Sequence, residues 1–318
     1  MTEKIGVNIQ YAIKLLSSEE LVSIPTETVY GLAANALSEK AVAKVFSVKK
    51  RPFFDPLIVH VSSEKKIKEY AKNIPDIAFR LAEKFMPGPL TLVLEKKSII
   101  PDLVTSGIST VALRVPDHLL TQQLLSQIEF PLAAPSANPF GYISPTKPIH
   151  VEKMLGNEIS YILDGGNAIV GVESTIICFE KEDVILLRKG GVALEEIENE
   201  IDKKVRFQNN SESIQAPGML KSHYSPLKKL FLCNIDNEFK YFNKQKVGIL
   251  CFTKKRNFVS NVNQFVLSKE GNILEAASNL FSGLHYLDDL DIDVILAENV
   301  PNRGIGMAIN DRLLKASS

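Results

Sequence analysis

The first two-thirds of the chain alternate short strand-like runs with helix-like segments, and this alternation constrains the fold more than any other feature. In the helix-like segments, apolar residues recur every three or four positions. Repeated strand–helix alternation is typical of a sheet covered by helices, so the sequence predicts an α/β fold. We expect strands at 21–24, 57–61, 90–94, 110–115, 161–163, 174–179 and 184–187, and helices around 9–16, 38–46, 67–71, 77–85 and 194–201.

A polar segment interrupts this alternation and divides the chain. Residues 206–215 are polar and poor in core-forming side chains, which predicts a linker. A second α/β pattern follows, and a length of 318 residues also favours two domains. Its strands are expected at 230–233, 247–252, 265–267 and 294–297, and its helices at 273–287 and from 306 to about 315. We therefore predict a first domain over 1–206, a linker over 207–226 and a smaller α/β domain over 227–318.

The composition is that of a globular protein and limits the kinds of partner. Hydrophobic residues make up 45% of the chain, and 37 Lys and Arg balance 37 Asp and Glu. A net charge of zero does not support general nucleic-acid binding, which usually needs a basic excess. Cys178, Cys233 and Cys251 lack the spacing of a zinc site, so we expect buried apolar cysteines. The polar N-terminus and the lack of a long apolar run favour a cytoplasmic protein.

Two short polar motifs suit a phosphorylated ligand. Lys49-Lys50-Arg51-Pro52 offers cations, and Pro135-Ser136-Ala137-Asn138 offers a hydroxyl and an amide on a turn. Read alone, each motif also fits a structural role, because cations are favoured at helix C-termini and Ser and Asn are common in turns. The chain has no Gly-x-x-x-x-Gly-Lys-Ser/Thr loop. If the protein uses ATP, side-chain cations must therefore hold the phosphates.

Three residues within the strand patterns are further candidates. Arg114 shares a strand face with Ala112, where its guanidinium could hold a carboxylate or simply meet solvent. Arg188 ends a strand next to two glycines, a common ligand position in α/β folds. His60 interrupts an apolar strand and fits either a satisfied core histidine or a substrate contact.

Taken in order, the motifs resemble those of the threonylcarbamoyl-AMP synthase family, whose catalytic unit is the YrdC-type domain. The segment 216–226 (APGMLKSHYSP) is similar to the linker of the long, two-domain form of that family. The other motifs, besides the two polar ones, are 24–32 (IPTETVYGL), 56–61 (PLIVHV), 87–91 (PGPLT), 110–116 (TVALRVP), 144–146 (SPT), 164–166 (DGG), 171–176 (GVESTI) and 187–188 (LR).

The resemblance implies a fold, a reaction and its partners. The fold would be a twisted mixed-sheet YrdC-like catalytic domain with a concave active face, followed by a smaller three-layer α/β domain. The reaction would join L-threonine, bicarbonate or CO₂, and ATP into threonylcarbamoyl-AMP and release pyrophosphate, with Mg²⁺ assisting through ligands that the sequence does not assign. The product would pass to a tRNA threonylcarbamoyl transferase complex; whether the chain binds tRNA directly stays open.

The same resemblance implies roles for particular residues. Lys49 and Arg51 would be catalytic. L-Threonine would be bound by Thr28, His60, Arg114 and Ser174, and ATP by Lys49, Arg51, Thr110, Ser136, Asn138, Ser144, Arg188 and His223. We expect the basic motif to be exposed and segment 216–226 to close over the ATP site as a lid. One departure from the family pattern, Asp55, would repel a triphosphate and puts the contact expected there in doubt.

Two other functions stay open at this point. A non-catalytic RNA-binding or translation-associated module could use the same concave domain, although the zero net charge counts against it. A carbamoyltransferase of hydrogenase maturation shares a YrdC-like unit, but its zinc-finger segments would bring paired cysteines, which this chain lacks.

Overall fold

Eleven strands form the first sheet within the residues that the computed structural model describes, which are 4–181, 183–208, 217–218, 223–242 and 246–318. They are β1 (Ile5–Gly6), β2 (Val22–Ile24), β3 (Gly31–Asn35), β4 (Ile58–His60), β5 (Leu90–Glu95), β6 (Thr110–Arg114), β7 (Leu132–Ala133), β8 (Tyr161–Leu163), β9 (Thr175–Glu180), β10 (Asp183–Arg188) and β11 (Arg206–Phe207). Their order across the sheet is β1–β8–β2–β3–β7–β4–β6–β5–β9–β10–β11, with parallel and antiparallel neighbours mixed.

Four parallel strands form the second sheet. They are β12 (Lys229–Leu232), β13 (Val247–Cys251), β14 (Gln264–Val266) and β15 (Val294–Ala297), in the order β12–β15–β13–β14. Neighbouring residues of β13 pack on opposite faces of this sheet. Leu250 belongs to an apolar cluster with the helix Ile273–Asp288, whereas Ile249 belongs to a separate cluster with Ile235 of the helix Ile235–Glu238. Both faces of this sheet are therefore covered, as parallel sheets require, which gives the expected three layers.

Eleven α-helices lie in the described residues. They are α1 (Ile9–Ser17), α2 (Glu39–Lys49), α3 (Ile67–Tyr70), α4 (Asp76–Phe85), α5 (Asp102–Thr105), α6 (Leu119–Ser126), α7 (Pro148–Leu155), α8 (Leu194–Ile201), α9 (Ile235–Glu238), α10 (Ile273–Asp288) and α11 (Gly306–Ala316), with 3₁₀ turns at Glu64–Lys66, Phe239–Phe242 and Asn261–Asn263. None of them has both the length and the apolar character needed to cross a membrane.

The predicted α/β fold is confirmed, and its elements follow local rules. All eleven predicted strands are present with ends within one residue of the prediction. Ser38 caps α2 by accepting a hydrogen bond from the Ala41 amide. The expectation of three buried cysteines is wrong for Cys178 and Cys233, which are only partly buried. The domain boundaries at 206 and 226 stay predictions.

One apolar cluster joins the two sheets into a single body. Val29, Ile143 and Val172 of the first part pack in the same cluster as Leu280 and Phe281 of α10. Polar contacts cross the same interface: the Tyr142 hydroxyl donates to Asp288 at 2.5 Å, and the rings of His150 and His285 lie 4.1 Å apart. The second part therefore packs firmly against the face of the first that carries the 144–146 motif.

The buried histidine pair predicts a pH dependence of stability. Burial lowers the pKa of His150 to about 3 and that of His285 to about 4, whereas an unfolded histidine titrates near about 6.5. The unfolded chain therefore binds more protons as the pH falls below about 6.5, so the free energy of unfolding should decrease from there towards pH 4. Each histidine contributes at most about 1.4 kcal/mol per pH unit.

Urea titrations of the wild type and of His150→Asn between pH 4.5 and 8 check this expectation. The variant should show a shallower decrease of unfolding free energy below pH 6.5, because it has lost one of the groups that titrate only on unfolding. Identical slopes for the two proteins would mean that His150 takes up its proton in the folded state.

Candidate active site

A cavity of about 470 Å³, counting its open mouth, lies between the carboxyl ends of β4, β6 and β10 and the described part of the linker. Its walls are formed by Thr28, Val29, Arg51, Ile58, His60, Arg114, Ala134, Pro135, Ser136, Glu173, Arg188, Pro217, Gly218, His223 and Tyr224. Seven of these fifteen lining residues are among the twelve candidates from the sequence, and four more are direct chain neighbours of a candidate in the same motif.

Arg114 forms one wall of the cavity. Its guanidinium pairs with Glu27 at 2.6 Å and donates to the Thr28 hydroxyl at 2.9 Å. The other oxygen of Glu27 accepts the Asp117 amide, so the carboxylate holds the arginine in a fixed direction. The strand alternation predicted for β6 is confirmed, because Val111 and Leu113 pack in the main core while Arg114 faces the cavity.

His60 stands beside Arg114 as its partner across the β4–β6 pairing. Its Nδ1 is buried without a hydrogen-bond partner among the described residues. Burial and the neighbouring Arg114 cation lower the pKa of His60 to about 3, so the ring is neutral at physiological pH. A neutral imidazole with a free ring nitrogen can hydrogen-bond a ligand in the cavity.

Arg188 forms the opposite wall, and Ser174 is fully buried behind it. Its guanidinium donates to the Ser174 carbonyl and hydroxyl, both at 3.0 Å, and to the Pro217 carbonyl of the linker at 3.1 Å. A register irregularity in β10 between Leu186 and Arg188 explains its direction. Leu186 packs in the main core, and the bulge re-aims Arg188 to the other face.

Arg188 lacks the carboxylate partner that each of the other two arginines of the cavity wall has, within the described residues. Arg51 is paired with Asp55, and Arg114 with Glu27. For Arg188, no carboxylate lies within 4.0 Å in the described part of the chain, and burial lowers its pKa. A buried guanidinium without a counter-ion is costly unless an anion binds to it. This residue is therefore the strongest candidate for an anion-binding group.

Two of the three cations of the basic motif are buried, so the expectation that the motif is exposed is wrong for Lys49 and Arg51. Lys49 is 1% exposed and Arg51 is 6% exposed. Lys49 does not line the cavity; its ammonium donates to the Ser136 carbonyl at 2.5 Å and to the Asn138 carbonyl at 2.6 Å. Lys50 ends α2 with a left-handed backbone, φ +53°. This turn leaves Lys50 exposed and buries the side chains of Lys49 and Arg51 on either side of it. Burial, and then Arg51, lower the pKa of Lys49 well below its ordinary value.

Asp55 explains how Arg51 is held. The guanidinium of Arg51 donates to the Asp55 and Pro56 carbonyls, both at 2.9 Å, and lies 2.9 Å from the Asp55 carboxylate. The carboxylate meets the distance of an ion pair but not the angles of a hydrogen bond. Burial raises the pKa of Asp55 although Arg51 and Lys49 lower it. Asp55, which departs from the family pattern, thus neutralises Arg51 and does not line the cavity.

Three further candidates lie at or near the cavity. Ser136 lines it, whereas Asn138 and Ser144 are fully buried just behind its wall. The Asn138 amide holds the Pro139 and Tyr142 carbonyls, while its Oδ1 is buried and unpartnered in the described residues. The Ser144 hydroxyl donates to Glu173 at 2.6 Å.

Thr110 does not join this cavity. It begins β6, four residues before Arg114, which corresponds to about 13 Å along a strand. It lines a second depression with Val93 and Cys178. Both depressions open on the same face of the sheet and are joined by an apolar patch that contains Ile58, Val93, Ala112, Ile176, Cys178 and Leu187.

The described part of the linker closes the cavity from above. His223 is 6% exposed, lies T-shaped against Phe140 at 5.7 Å, and has an unpartnered buried Nδ1 within the described residues. Burial lowers the pKa of His223 to about 3. Gly218 has φ +79°, and a Cβ there would come within 2.7 Å of the Tyr224 hydroxyl. The predicted lid residues 216 and 219–222 lie outside the described residues.

Two wall residues with polar side chains and one supporting residue were not among the sequence candidates. Glu173 and Tyr224 line the cavity, and Arg312 of α11 lies behind them, fully buried. Glu173 stands next to the candidate Ser174 in the 171–176 motif, and Tyr224 next to His223. Arg312 carried no signal, because it lies in the last helix, far in sequence from every motif.

Comparison with known proteins decides the family. The family model Sua5_yciO_yrdC, described as "Telomere recombination", matches residues 14–190, and "Threonylcarbamoyl-AMP synthase, C-terminal domain" matches residues 192–318. The chain belongs to the threonylcarbamoyl-AMP synthase family. The resemblance drawn from the motifs is thereby confirmed.

Relatives of this family match over nearly their whole length. The threonylcarbamoyl-AMP synthase of Pyrococcus abyssi is 39% identical, over 97% of this chain and 94% of the relative. The Bacillus subtilis threonylcarbamoyl-AMP synthase is 37% identical, over 100% and 96%. The crystal structure of P. abyssi Sua5 complexed with L-threonine has a TM-score of 0.90 at 38% identity and covers 98% of this chain and 97% of its own.

The burial of Lys49 predicts a large loss of stability on truncation. Lys49→Ala removes a buried side chain and leaves two buried carbonyls without their donor, so the free energy of unfolding should fall by about 2–4 kcal/mol. Lys50→Ala is the matched control, because Lys50 is exposed, and it should change stability by no more than about 0.5 kcal/mol. Urea denaturation measures both; equal stabilities would contradict the buried position of Lys49.

Proposed function

We propose that this protein is an L-threonylcarbamoyladenylate synthase, a nucleotidyltransferase that makes threonylcarbamoyl-AMP and pyrophosphate from L-threonine, bicarbonate or CO₂, and ATP. One observation carries the proposal: a buried cavity holds a carboxylate-paired arginine, Arg114, opposite an arginine with no carboxylate partner in the described residues, Arg188. Such a site suits a ligand that presents a carboxylate and a phosphate together. The full-length relatives named threonylcarbamoyl-AMP synthase support the same activity.

The wall around Arg114 suits L-threonine. A guanidinium fits a carboxylate through parallel N–H donors, and Glu27 already directs that group into the cavity. Thr28 and His60 offer a hydroxyl and a neutral imidazole beside it, and the Ser174 hydroxyl adds a further polar group on the Arg188 side. These four residues can bind the carboxylate, amine and hydroxyl of threonine.

The opposite wall and the joined depression suit ATP. Arg188 meets the phosphate charge, with Arg51 and Ser136 beside it on the wall. The apolar patch between the two depressions offers a surface for the adenine ring, and Thr110 lies at its far end on the Arg114 face of β6. Lys49 then acts through the 136–138 turn, whose carbonyls it holds, while Asn138 and Ser144 stabilise the same wall.

The reaction requires positioning and charge stabilisation rather than a protein nucleophile. The threonine amine adds to CO₂ to form a carbamate and releases a proton to solvent. The carbamate oxygen attacks the α-phosphorus of ATP, the bond from that phosphorus to the bridging oxygen breaks, and pyrophosphate leaves with the electron pair. Arg188 and Arg51 stabilise the negative charge that develops on the phosphates.

Mg²⁺ would enter as part of the ATP substrate complex. Within the described residues, no group of three or more His, Cys, Asp or Glu is arranged to hold a metal ion. Mg²⁺ bound to nucleotides usually takes its ligands from phosphates and water, with one or two carboxylates at most. The proposal therefore assigns no protein cage to the ion.

The linker would act as a lid on the reactive product. Pro217, Gly218, His223 and Tyr224 already complete the cavity wall, and a closed site protects an acyl adenylate from water. The Pro217 carbonyl occupies one donor of Arg188, so a bound phosphate would compete with the linker for that donor. Lid movement and nucleotide binding would then be coupled.

Two wider assignments belong to the same proposal. The product would be passed in the cytoplasm to a tRNA threonylcarbamoyl transferase complex, and the zero net charge gives no support to direct tRNA binding by this chain. The RNA-binding module and the hydrogenase-maturation carbamoyltransferase are less well supported, because the synthases match this chain from end to end.

Pyrophosphate release tests the function directly. With ATP and Mg²⁺, release should require both L-threonine and bicarbonate, because the carbamate forms from the two, and the adenylate product should carry label from ¹³C-bicarbonate in mass spectrometry. Release that is independent of threonine, or RNA binding without ATP consumption, would contradict the proposal.

The same assay tests the phosphate role of Arg188. Removing one preorganised donor to a transition-state anion typically costs about 10²–10³-fold, so Arg188→Met should lower kcat/KM for ATP by about that factor. Arg206→Met is the matched control, because Arg206 is exposed on β11 and paired with Asp183. Equal losses in the two variants would remove Arg188 from the site.

A further inference from the structure

The last helix of the chain reaches the cavity wall through one buried arginine. Arg312 of α11 is 0% exposed, and its Nε donates to Glu173 at 2.7 Å. Its other nitrogens donate to Asp311 at 2.6 Å and to the Lys189 carbonyl at 2.9 Å. Two of these three contacts, to Glu173 and to Lys189, bind Arg312 to the 171–191 region, which carries both Ser174 and Arg188.

Glu173 transmits this contact to the opposite side of the cavity. One of its oxygens accepts from Arg312 and the other accepts from the Ser144 hydroxyl at 2.6 Å. Although burial raises it, the cations Arg312 and Arg188 hold the pKa of Glu173 at about 2. The carboxylate is therefore ionised at physiological pH and fixes Ser144 and the 171–176 motif relative to each other.

The same helix also holds the linker. The Arg312 guanidinium lies 4.9 Å from the centre of the Tyr224 ring, and Tyr224 takes a left-handed backbone with φ +64°, which a bulky residue adopts only when its surroundings enforce it. One turn along α11, Lys315 donates to the Gly218 carbonyl at 2.9 Å, and its own carbonyl accepts the His223 amide at 3.2 Å. Arg312 and Lys315 therefore fix the two described pieces of the linker.

We propose that Arg312 is a positioning residue of the synthase reaction, which makes the C-terminal domain part of the active site instead of only a cover for it. Arg312 touches no substrate. It sets the position of Glu173, and through it of Ser144, and it holds Tyr224 so that the linker closes above Arg188. This inference rests on the proposed function and adds to it a second-domain residue on which turnover depends.

The chain offers a matched control for this proposal. Arg256 lies in the same domain and is also paired with two carboxylates, Asp236 and Glu298. It lies outside the cavity, in a depression at the carboxyl end of β13. Replacing either arginine removes a doubly paired guanidinium from the same domain, but only Arg312 contacts the cavity wall.

Threonine-dependent pyrophosphate release by the full-length protein tests the proposal, with far-ultraviolet circular dichroism and melting curves recorded for every variant. In Arg312→Met, Glu173 and Tyr224 would lose the contact that positions them. This should lower kcat by about 10–100-fold, a loss typical of small misplacements at an active site. Arg256→Met should keep the wild-type kcat and KM even if its melting temperature falls. A fall in kcat that occurs only in Arg312→Met, even where both variants lose thermal stability, would show that Arg312 positions the site and does not merely stabilise the domain.

Arg312→Lys keeps the positive charge and tests the positioning role of Arg312 if Arg312→Met does not fold. An ammonium cannot reproduce the planar fork or its stacking on a ring, so kcat should stay at least about fivefold below wild type in a folded protein. A folded Met or Lys variant with wild-type kcat would overturn the proposal. Inactivity of the wild type itself would instead contradict the proposed function, so the two failures are distinguishable.

Discussion

The structure depends on the neutralisation of cations that are buried around one cavity. Arg51, Arg114 and Arg312 are almost completely buried, and each is paired with a carboxylate: Asp55, Glu27 and Glu173. A buried charge that loses its partner destabilises a protein strongly, so these pairs must form together if the cavity is to exist. Arg188 stands among them without a carboxylate in the described residues, which leaves the site with an unbalanced positive charge directed at a ligand.

This charge arrangement requires both parts of the chain. Glu173 lies in the first part and Arg312 in the last helix, and the apolar cluster that joins α10 to Val172 holds the two surfaces together. The described linker residues Pro217, Gly218, His223 and Tyr224 contribute to the wall. The second part thus supports this wall from behind, through Arg312.

The sequence predicted the regular elements well and the site in part, for different physical reasons. Strand periodicity placed β6 and the cavity side of Arg114 correctly, because alternation is a local rule. It could not foresee that Lys49 is buried, because a left-handed turn at Lys50 and the carbonyls of Ser136 and Asn138 decide that position. Strand position made Arg188 a candidate, but alternation could not give its direction, which a bulge sets. Arg312 could not be foreseen, because it reaches the site only through tertiary packing.

A crystal structure of this protein with L-threonine and a non-hydrolysable ATP analogue would show directly whether Arg114 and Arg188 bind the two substrates. We expect a threonine carboxylate oxygen at about 2.7–3.2 Å from a guanidinium nitrogen of Arg114, and a phosphate oxygen at about the same distance from one of Arg188. The Pro217 carbonyl should then have given up its hydrogen bond to Arg188. A nucleotide bound elsewhere, with Arg188 still donating to Pro217, would contradict this expectation.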